Sequence, residues 1–158
     1  MNSKRRGFRR WLKSTSNRTF VVYPLVIIAV ECLLHRGALP FVPWFAPLLA
    51  WGYLQYRLVG NYRLAHGGGG PGLSVPPERL VTAGPYGVMR NPMYLGHLVF
   101  MLGLALTFQS WFAALLLIYH LYWFNERAKE DEAQLRVLFG AQYERYADRV
   151  KRWVPGLP

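Results

Sequence analysis

The sequence predicts an all-α integral membrane protein: a bundle of four transmembrane helices with a cytosolic helical extension at the carboxy terminus. Hydrophobic residues make up 53% of the 158 residues and charged residues only 17%, which is low for a soluble protein. The apolar residues fall in blocks rather than in alternation, and the basic residues collect outside those blocks. A chain of this length is expected to form a single domain, residues 1–158.

Four apolar blocks are the expected spans, and each is near the short end of what crosses about 30 Å of hydrocarbon as a helix. They cover residues 19–34, 41–59, 92–108 and 110–124. The basic start followed by the first block resembles a signal peptide. However, Glu31, Cys32 and Leu33 stand where a small-x-small cleavage pattern would end the block. The first block is therefore expected to be a retained span.

The positions of the positive charges predict the orientation. With four crossings, the basic segment 1–18, the loop 60–91 and the tail 125–158 lie on one side. Counting Arg57 with the loop, that side holds 18 of the 19 Lys and Arg residues, and Arg36 alone is left for the other. Because positive charge favours the cytoplasmic side, both termini and the loop are expected in the cytoplasm, and the membrane is expected to be a bacterial inner membrane.

Neither nucleic acid nor a metal ion is an expected partner. The net charge of +11 would also suit nucleic acid, but no RNA- or DNA-binding motif accompanies it. Cys32 is the single cysteine, so an intramolecular disulfide is impossible and a cysteine metal site is not expected. No metal-ligand spacing and no arrangement for a covalent nucleophile stands out. Membrane lipids are the expected partners, with no metal.

Past the fourth block the helix is expected to continue into water over residues 125–139, where apolar positions recur at helical spacing. Gly140 is the expected stop. A second, short amphipathic stretch follows over residues 143–150. Both helices are expected to pack against the cytosolic face of the bundle.

The first candidate site lies where the third block begins. Asn91 can cap that helix, with Pro92 at its first helical position. A helix start suits a carboxylate or phosphate because its N–H groups are unpaired and its dipole end is positive, and Arg90 adds a bidentate donor. Tyr94 and His97 follow on one face. Alternatively, Arg90 only meets anionic lipid and Tyr94 only anchors the interface; the residues leave both interpretations open.

The second candidate site consists of Arg127, Asp131 and Glu132. Arg127 and Asp131 are spaced to pair on one helix face, and both carboxylates border an apolar stripe. The alternative is a solvated charged helix, because other charged residues are nearby: Glu126, Lys129 and Glu130.

The residues of these two sites resemble the isoprenylcysteine carboxyl methyltransferase family, which shares a membrane architecture with the phospholipid N-methyltransferases. The first motif consists of residues 80–86 (LVTAGPY) and 90–96 (RNPMYLG). The tail agrees in order and spacing at Arg127, Asp131, Glu132, Leu135, Phe139, Gly140, Tyr143, Tyr146, Val150, Arg152 and Pro155. The resemblance covers about residues 60–155.

The resemblance implies S-adenosylmethionine as the cofactor, held at the cytosolic side between the last two spans and the tail. Arg90, Asn91 and Tyr94 match an Arg-His-Pro-x-Tyr motif in which Asn91 replaces the histidine. Asp131 and Glu132 match a pair of acidic residues. The expected cofactor-binding residues are Tyr86, Arg90, Asn91, Tyr94, His97, Asp131 and Glu132, and the expected catalytic residues are Arg127 and Glu132.

The expected function is S-adenosylmethionine-dependent methyl transfer to a lipophilic or membrane-embedded acceptor, by carboxylate O-methylation or amine N-methylation. Such transfer needs only alignment of the acceptor with the S–methyl bond, which agrees with the lack of a nucleophile. Two alternatives remain: a nicotinamide-dependent membrane reductase of related architecture, and a non-catalytic membrane scaffold.

Overall fold

A computed structural model describes residues 7, 9, 11–70 and 75–153. Parts of the predicted basic segment 1–18 and loop 60–91, and the last five residues of the tail, therefore lie outside the described residues. Within the described ranges all regular structure is helical, with no strand. The predicted all-α class is confirmed for this part of the chain.

Six helices make up most of the described structure. Helix α1 spans Thr15–Leu34 and contains a π-helical stretch over Arg18–Val22. A 3₁₀ turn over Pro43–Phe45 leads into α2. The remaining helices are α2, Ala46–Gly67; α3, Pro85–Val88; α4, Pro92–Thr107; α5, Trp111–Phe139; and α6, Ala141–Arg149.

The four-span bundle is not confirmed. Among the described residues, α1 alone is long and apolar enough to cross a membrane, and buried core helices and signal sequences can have the same length and composition. Helix α4 is apolar but has 16 residues, about 24 Å at 1.5 Å per residue, against about 30 Å of hydrocarbon. Helices α2 and α5 are longer, but each continues from an apolar half into a charged one.

Two helix boundaries follow the sequence signals and one does not. Helix α4 begins at Pro92 directly after Asn91, and α5 ends before Gly140, whose φ is +48°. Helix α2, in contrast, continues past the predicted end at Val59 to Gly67. Hydropathy detects where a chain becomes polar, whereas a helix continues as long as its backbone hydrogen bonds do. The first residues of the predicted loop are therefore helical.

The chain forms two compact units. The first consists of residues 1–53 and 97–118. Its core is a cluster of buried apolar side chains: Ile27, Phe100, Leu104, Phe108 and Ala113. Gly103 of α4 lies against α2, because a Cβ there would be 3.0 Å from the backbone nitrogen of Leu49. A larger residue would push the two helices apart.

The second unit consists of residues 54–96 and 119–158. Gln55 of α2 donates a hydrogen bond to the carbonyl of Pro92 at 3.0 Å, which fixes the first turn of α4. The Tyr94 ring packs on Phe124 of α5 with centroids 4.9 Å apart. Both predicted motifs lie in this unit, and so does the candidate site.

Candidate functional site

A pocket in the second unit is lined by residues of both predicted motifs. The space between its walls is about 490 Å³, including the part that is open to solvent. The lining residues are Arg63, Pro77, Arg79, Leu80, Val81, Tyr86, Arg90, Asn91, Asp131, Glu132, Leu135, Tyr143 and Tyr146. The wall thus combines three guanidinium groups and two carboxylates with apolar and aromatic surface.

Five of the residues predicted to bind the cofactor line this pocket: Tyr86, Arg90, Asn91, Asp131 and Glu132. Tyr94 and Arg127 do not line it, and both contact Asp131 instead. His97 belongs to the first unit, where it is 3% exposed and its ring centroid lies 4.9 Å from that of Phe20. Its role in cofactor binding stays a prediction.

Glu132 is bound at both carboxylate oxygens. It is 2% exposed and accepts hydrogen bonds from Nε and Nη2 of Arg152 at 2.8 and 2.9 Å. Nε of Arg90 lies 3.6 Å from Oε1 of Glu132, too far for a hydrogen bond. A buried carboxylate requires a paired cation, and Arg152 provides it. The hydrogen bonds to Glu132 in turn raise the pKa of Arg152. Glu132 is therefore engaged within the protein.

Asp131 retains capacity to accept a hydrogen bond. The Tyr94 hydroxyl donates to its Oδ2, and Nε of Arg127 lies 3.4 Å from its Oδ1. Oδ1 is buried and accepts no hydrogen bond. Burial raises the pKa of the Asp131 carboxyl above its usual value, while the bond from Tyr94 and the charge of Arg127 act in the opposite direction. The predicted pairing of Arg127 with Asp131 is present.

Gly84, within the first motif, directly precedes helix α3. Its φ of +58° and ψ of −132° are accessible to glycine and strained for other residues. A Cβ at this position would lie 2.7 Å from Cζ of Tyr62.

The short helix α3 follows at once and carries Tyr86, whose carbonyl accepts a hydrogen bond of 2.7 Å from the Tyr146 hydroxyl. Burial raises the pKa of Tyr86 to about 12, although the charge of Arg63 lowers it, so its hydroxyl is neutral at physiological pH.

The carboxy-terminal segment 151–153 lies against the first motif. The backbone N–H of Arg90 donates to the carbonyl of Lys151 at 2.9 Å, and the Asn91 side chain donates to the carbonyl of Arg152 at 3.3 Å. The indole of Trp153 donates to Oδ1 of Asn125 at 3.1 Å. Asn91, which replaces the motif histidine, therefore provides a donor that does not titrate.

Eight lining residues were not among the predicted site residues, and four of these eight carry polar side chains: Arg63, Arg79, Tyr143 and Tyr146. Arg63 lies in the part of α2 that was predicted to be loop, and its Nη2 donates to the Gly70 carbonyl. Tyr143 and Tyr146 share one buried face of α6, a spacing that marks them in the sequence. Burial, followed by the charge of Glu132, raises the pKa of Tyr143 to about 12. Its hydroxyl is buried without a hydrogen-bond partner.

The described residues contain no group of three or more His, Cys, Asp or Glu side chains placed to hold a metal ion. The polar groups of the pocket wall are guanidinium, carboxylate, amide and phenol groups.

Comparison with known proteins matches residues 72–142 to the family model described as Phospholipid methyltransferase. Over 80 residues the chain is 34% identical to Protein-S-isoprenylcysteine O-methyltransferase of Schizosaccharomyces pombe, which covers 50% of this chain and 34% of that protein. It is 36% identical over 79 residues to Protein-S-isoprenylcysteine O-methyltransferase B of Arabidopsis thaliana, covering 49% of this chain and 40% of that protein.

A third relative is Probable protein-S-isoprenylcysteine O-methyltransferase of Oryza sativa subsp. japonica, 32% identical over 79 residues, with 49% of this chain and 41% of that protein covered. The chain thus spans less than half the length of the curated relatives it matches. No solved structure matches it.

The matched segment 72–142 contains the first motif and the paired acids Asp131 and Glu132. The resemblance predicted from these residues is confirmed: residues 72–142 match the phospholipid methyltransferase family model, and the matched relatives are named as isoprenylcysteine O-methyltransferases.

Proposed function

We propose that this chain is an S-adenosylmethionine-dependent integral membrane methyltransferase that acts on a lipophilic or membrane-embedded acceptor, by carboxylate O-methylation or amine N-methylation. The observation that carries the proposal is the pocket of the second unit, where both family motifs contribute charged groups with unused hydrogen-bonding capacity. The names of the matched relatives support methyl transfer to an isoprenylcysteine-like acceptor.

The pocket residues fit the polar groups of S-adenosylmethionine. Nε of Arg90 is buried without a hydrogen bond, and a guanidinium suits the carboxylate of the cofactor. Oδ1 of Asp131 is likewise without a hydrogen bond and suits an ammonium or ribose hydroxyl group. Leu80, Val81 and Leu135 form apolar wall that suits the adenine ring.

When bound, S-adenosylmethionine supplies an electrophilic methyl group on a sulfonium centre. The task of this chain is to hold and orient the reactants, because transfer needs alignment and no covalent enzyme intermediate. The Tyr86 ring, whose hydroxyl is neutral, can stabilise positive charge by cation–π contact. Arg127 and Tyr94 hold Asp131 in place through their contacts with its two oxygens.

We also propose the four-span arrangement, with residues 19–34, 41–59, 92–108 and 110–124 crossing the membrane and both termini in the cytoplasm. The charge distribution of the sequence supports it. Large apolar side chains are exposed on the first unit, as lipid contact would require; they include Leu25, Leu33, Trp44, Trp51, Trp111, Leu115 and Ile118.

The test is calorimetric titration of detergent-purified protein with S-adenosylhomocysteine. We expect saturable binding by the wild type and its loss in Arg90→Ala and in Asp131→Asn. Two matched variants on the exposed face of α6, Arg145→Ala and Asp148→Asn, should bind like the wild type because neither residue lines the pocket.

A folded wild-type protein that does not bind S-adenosylhomocysteine would overturn the proposal. Titration with a reduced nicotinamide dinucleotide would then separate the two alternatives, since a reductase binds it and a scaffold does not.

A further inference from the structure

We propose that Arg152 is a positioning residue of the pocket: it binds both oxygens of Glu132 and thereby keeps the guanidinium of Arg90 available to an anionic group of the ligand. The inference rests on the proposed function for the identity of that ligand, namely the carboxylate of S-adenosylmethionine. The contacts that carry it lie wholly within the second unit.

Two arginines compete for one buried carboxylate. Glu132 is 2% exposed, and Arg152 forms a bidentate pair with it at 2.8 and 2.9 Å. Nε of Arg90 stands 3.6 Å from Oε1 and makes no hydrogen bond. In this arrangement both hydrogen bonds to Glu132 come from Arg152, and the N–H of Arg90 Nε is left to donate to another partner.

Removing the Arg152 side chain would change the partner of Glu132. A buried carboxylate without a counter-ion is strongly unfavourable, and Arg90 is the other cation with which it forms an ion pair. A movement from 3.6 Å to about 2.8 Å is enough to form a charge-assisted hydrogen bond. Arg90 would then be paired with Glu132 and would offer fewer donors to a ligand.

The tail also contacts the first motif through main-chain atoms, which a substitution of the Arg152 side chain does not remove. The carbonyls of Lys151 and Arg152 accept hydrogen bonds from the Arg90 N–H and the Asn91 side chain. Both acceptors are main-chain atoms, so Arg152→Ala retains them. Any effect of that substitution on ligand binding should therefore result from the loss of the Arg152–Glu132 pair.

The test is a comparison of Arg152→Ala with the double variant Arg152→Ala/Glu132→Gln, by titration with S-adenosylhomocysteine. We expect Arg152→Ala to bind at least about tenfold more weakly than the wild type. The double variant should bind more tightly than Arg152→Ala, because the amide no longer attracts Arg90. A structural role for Arg152, or direct contact of Glu132 with the ligand, predicts a double variant that binds no better than the single one.

A second measurement does not depend on the cofactor. Phenylglyoxal modifies accessible guanidinium groups, and peptide mass spectrometry gives the rate at Arg90 in the protein without ligand. Modification of Arg90 should be several-fold slower in Arg152→Ala than in the wild type, and faster again in the double variant, while the exposed Arg145 reacts equally in all three. An unchanged Arg90 rate in Arg152→Ala would overturn the inference.

The two measurements distinguish the possible failures. If the wild type does not bind S-adenosylhomocysteine but the Arg90 rates change as expected, the proposed function is wrong and the positioning role holds. Thermal unfolding identifies a variant that has not folded. Arg152→Lys retains the positive charge beside Glu132 without the bidentate geometry, so it should show an Arg90 rate between those of the wild type and Arg152→Ala.

Discussion

The Tyr94 hydroxyl donates a hydrogen bond to Oδ2 of Asp131, 37 residues further along the chain. This bond joins the tyrosine of the first family motif to the first acid of the second. Tyr94 therefore acts on the pocket through Asp131, which lines the wall, whereas its own ring packs on Phe124. The two motifs are parts of one hydrogen-bonded arrangement.

Tyr94→Phe should destabilise the protein and weaken ligand binding. It removes a donor to a partly buried carboxylate, a change that costs about 1–3 kcal/mol. The measurement is thermal unfolding in detergent together with S-adenosylhomocysteine titration. Tyr122→Phe is the matched control, because Tyr122 of α5 is 69% exposed. Equal unfolding temperatures for the two variants would contradict the structural importance of the bond.

The ligand affinity should depend on pH through Asp131. Burial raises the pKa of its carboxyl above 3.8, so the group takes up a proton at a higher pH than an exposed aspartate. Because the ionised carboxylate binds an ammonium or hydroxyl group more strongly than the neutral acid does, affinity for S-adenosylhomocysteine should fall as the pH decreases through this raised value. Calorimetric titration over a series of pH values tests this, and Asp131→Asn should lack the transition.

The same pKa shift has the opposite effect on folding stability. With its pKa raised in the folded state, Asp131 holds its proton to higher pH than the unfolded chain does. The contribution of Asp131 to the free energy of unfolding is therefore fully present below pH 3.8, the ordinary pKa of an aspartate. It is lost as the pH rises through the folded-state pKa. Compared with the wild type, Asp131→Asn should lose less stability as the pH rises through this interval, as measured by thermal unfolding. Identical slopes would show that Asp131 titrates normally.

Gly84→Ala should disrupt the first motif, whereas Gly87→Ala should not. The φ of Gly84 is +58°, and a Cβ there would lie 2.7 Å from the Tyr62 ring. At Gly87 the nearest atom is the Thr82 carbonyl oxygen at 3.4 Å, and the residue lies in helix α3, where alanine is favoured. We expect Gly84→Ala to cost about 1–3 kcal/mol and to lower S-adenosylhomocysteine affinity, since α3 carries Tyr86. Equal effects of both substitutions on unfolding would refute this reading of Gly84.

Tyr146→Phe tests the contact between α6 and the first motif. The substitution removes a hydrogen bond of 2.7 Å to the Tyr86 carbonyl and should cost about 0.5–1.5 kcal/mol, measured by thermal unfolding. Binding should weaken less than in Arg90→Ala, because the Tyr86 side chain is retained. A larger loss of binding than in Arg90→Ala would assign Tyr146 direct contact with the ligand.

Local signals in the sequence predicted the parts of the fold and site that depend on neighbouring residues. Asn91 followed by Pro92 marked the start of α4, Gly140 marked the end of α5, and the spacing of Arg127 and Asp131 predicted their pairing. The family motifs identified most of the pocket wall. The two helix ends and the Arg127–Asp131 pair are each determined within a few residues of the chain.

The features that were not predicted depend on contacts between residues far apart in the sequence or on where a helix ends. Glu132 pairs with Arg152, 20 residues away. The sequence alone does not indicate which of the nearby Lys and Arg residues pairs with Glu132. Arg63 enters the pocket because α2 continues past Val59, where hydropathy predicted a loop. Hydropathy also predicted four spans, while length and composition together single out α1 among the described helices.

The proposed orientation can be tested with single cysteines, because Cys32 is the only one in the sequence. In a Cys32→Ala background, Ala38→Cys in the exposed turn after α1 should react with a membrane-impermeant maleimide added to intact bacterial cells expressing the protein. Arg145→Cys on the exposed face of α6 should react only after the cells are opened, because the positive charges favour the cytoplasm for the tail. Labelling of both positions in intact cells would contradict the orientation, and reaction of both only in opened cells would contradict the first crossing.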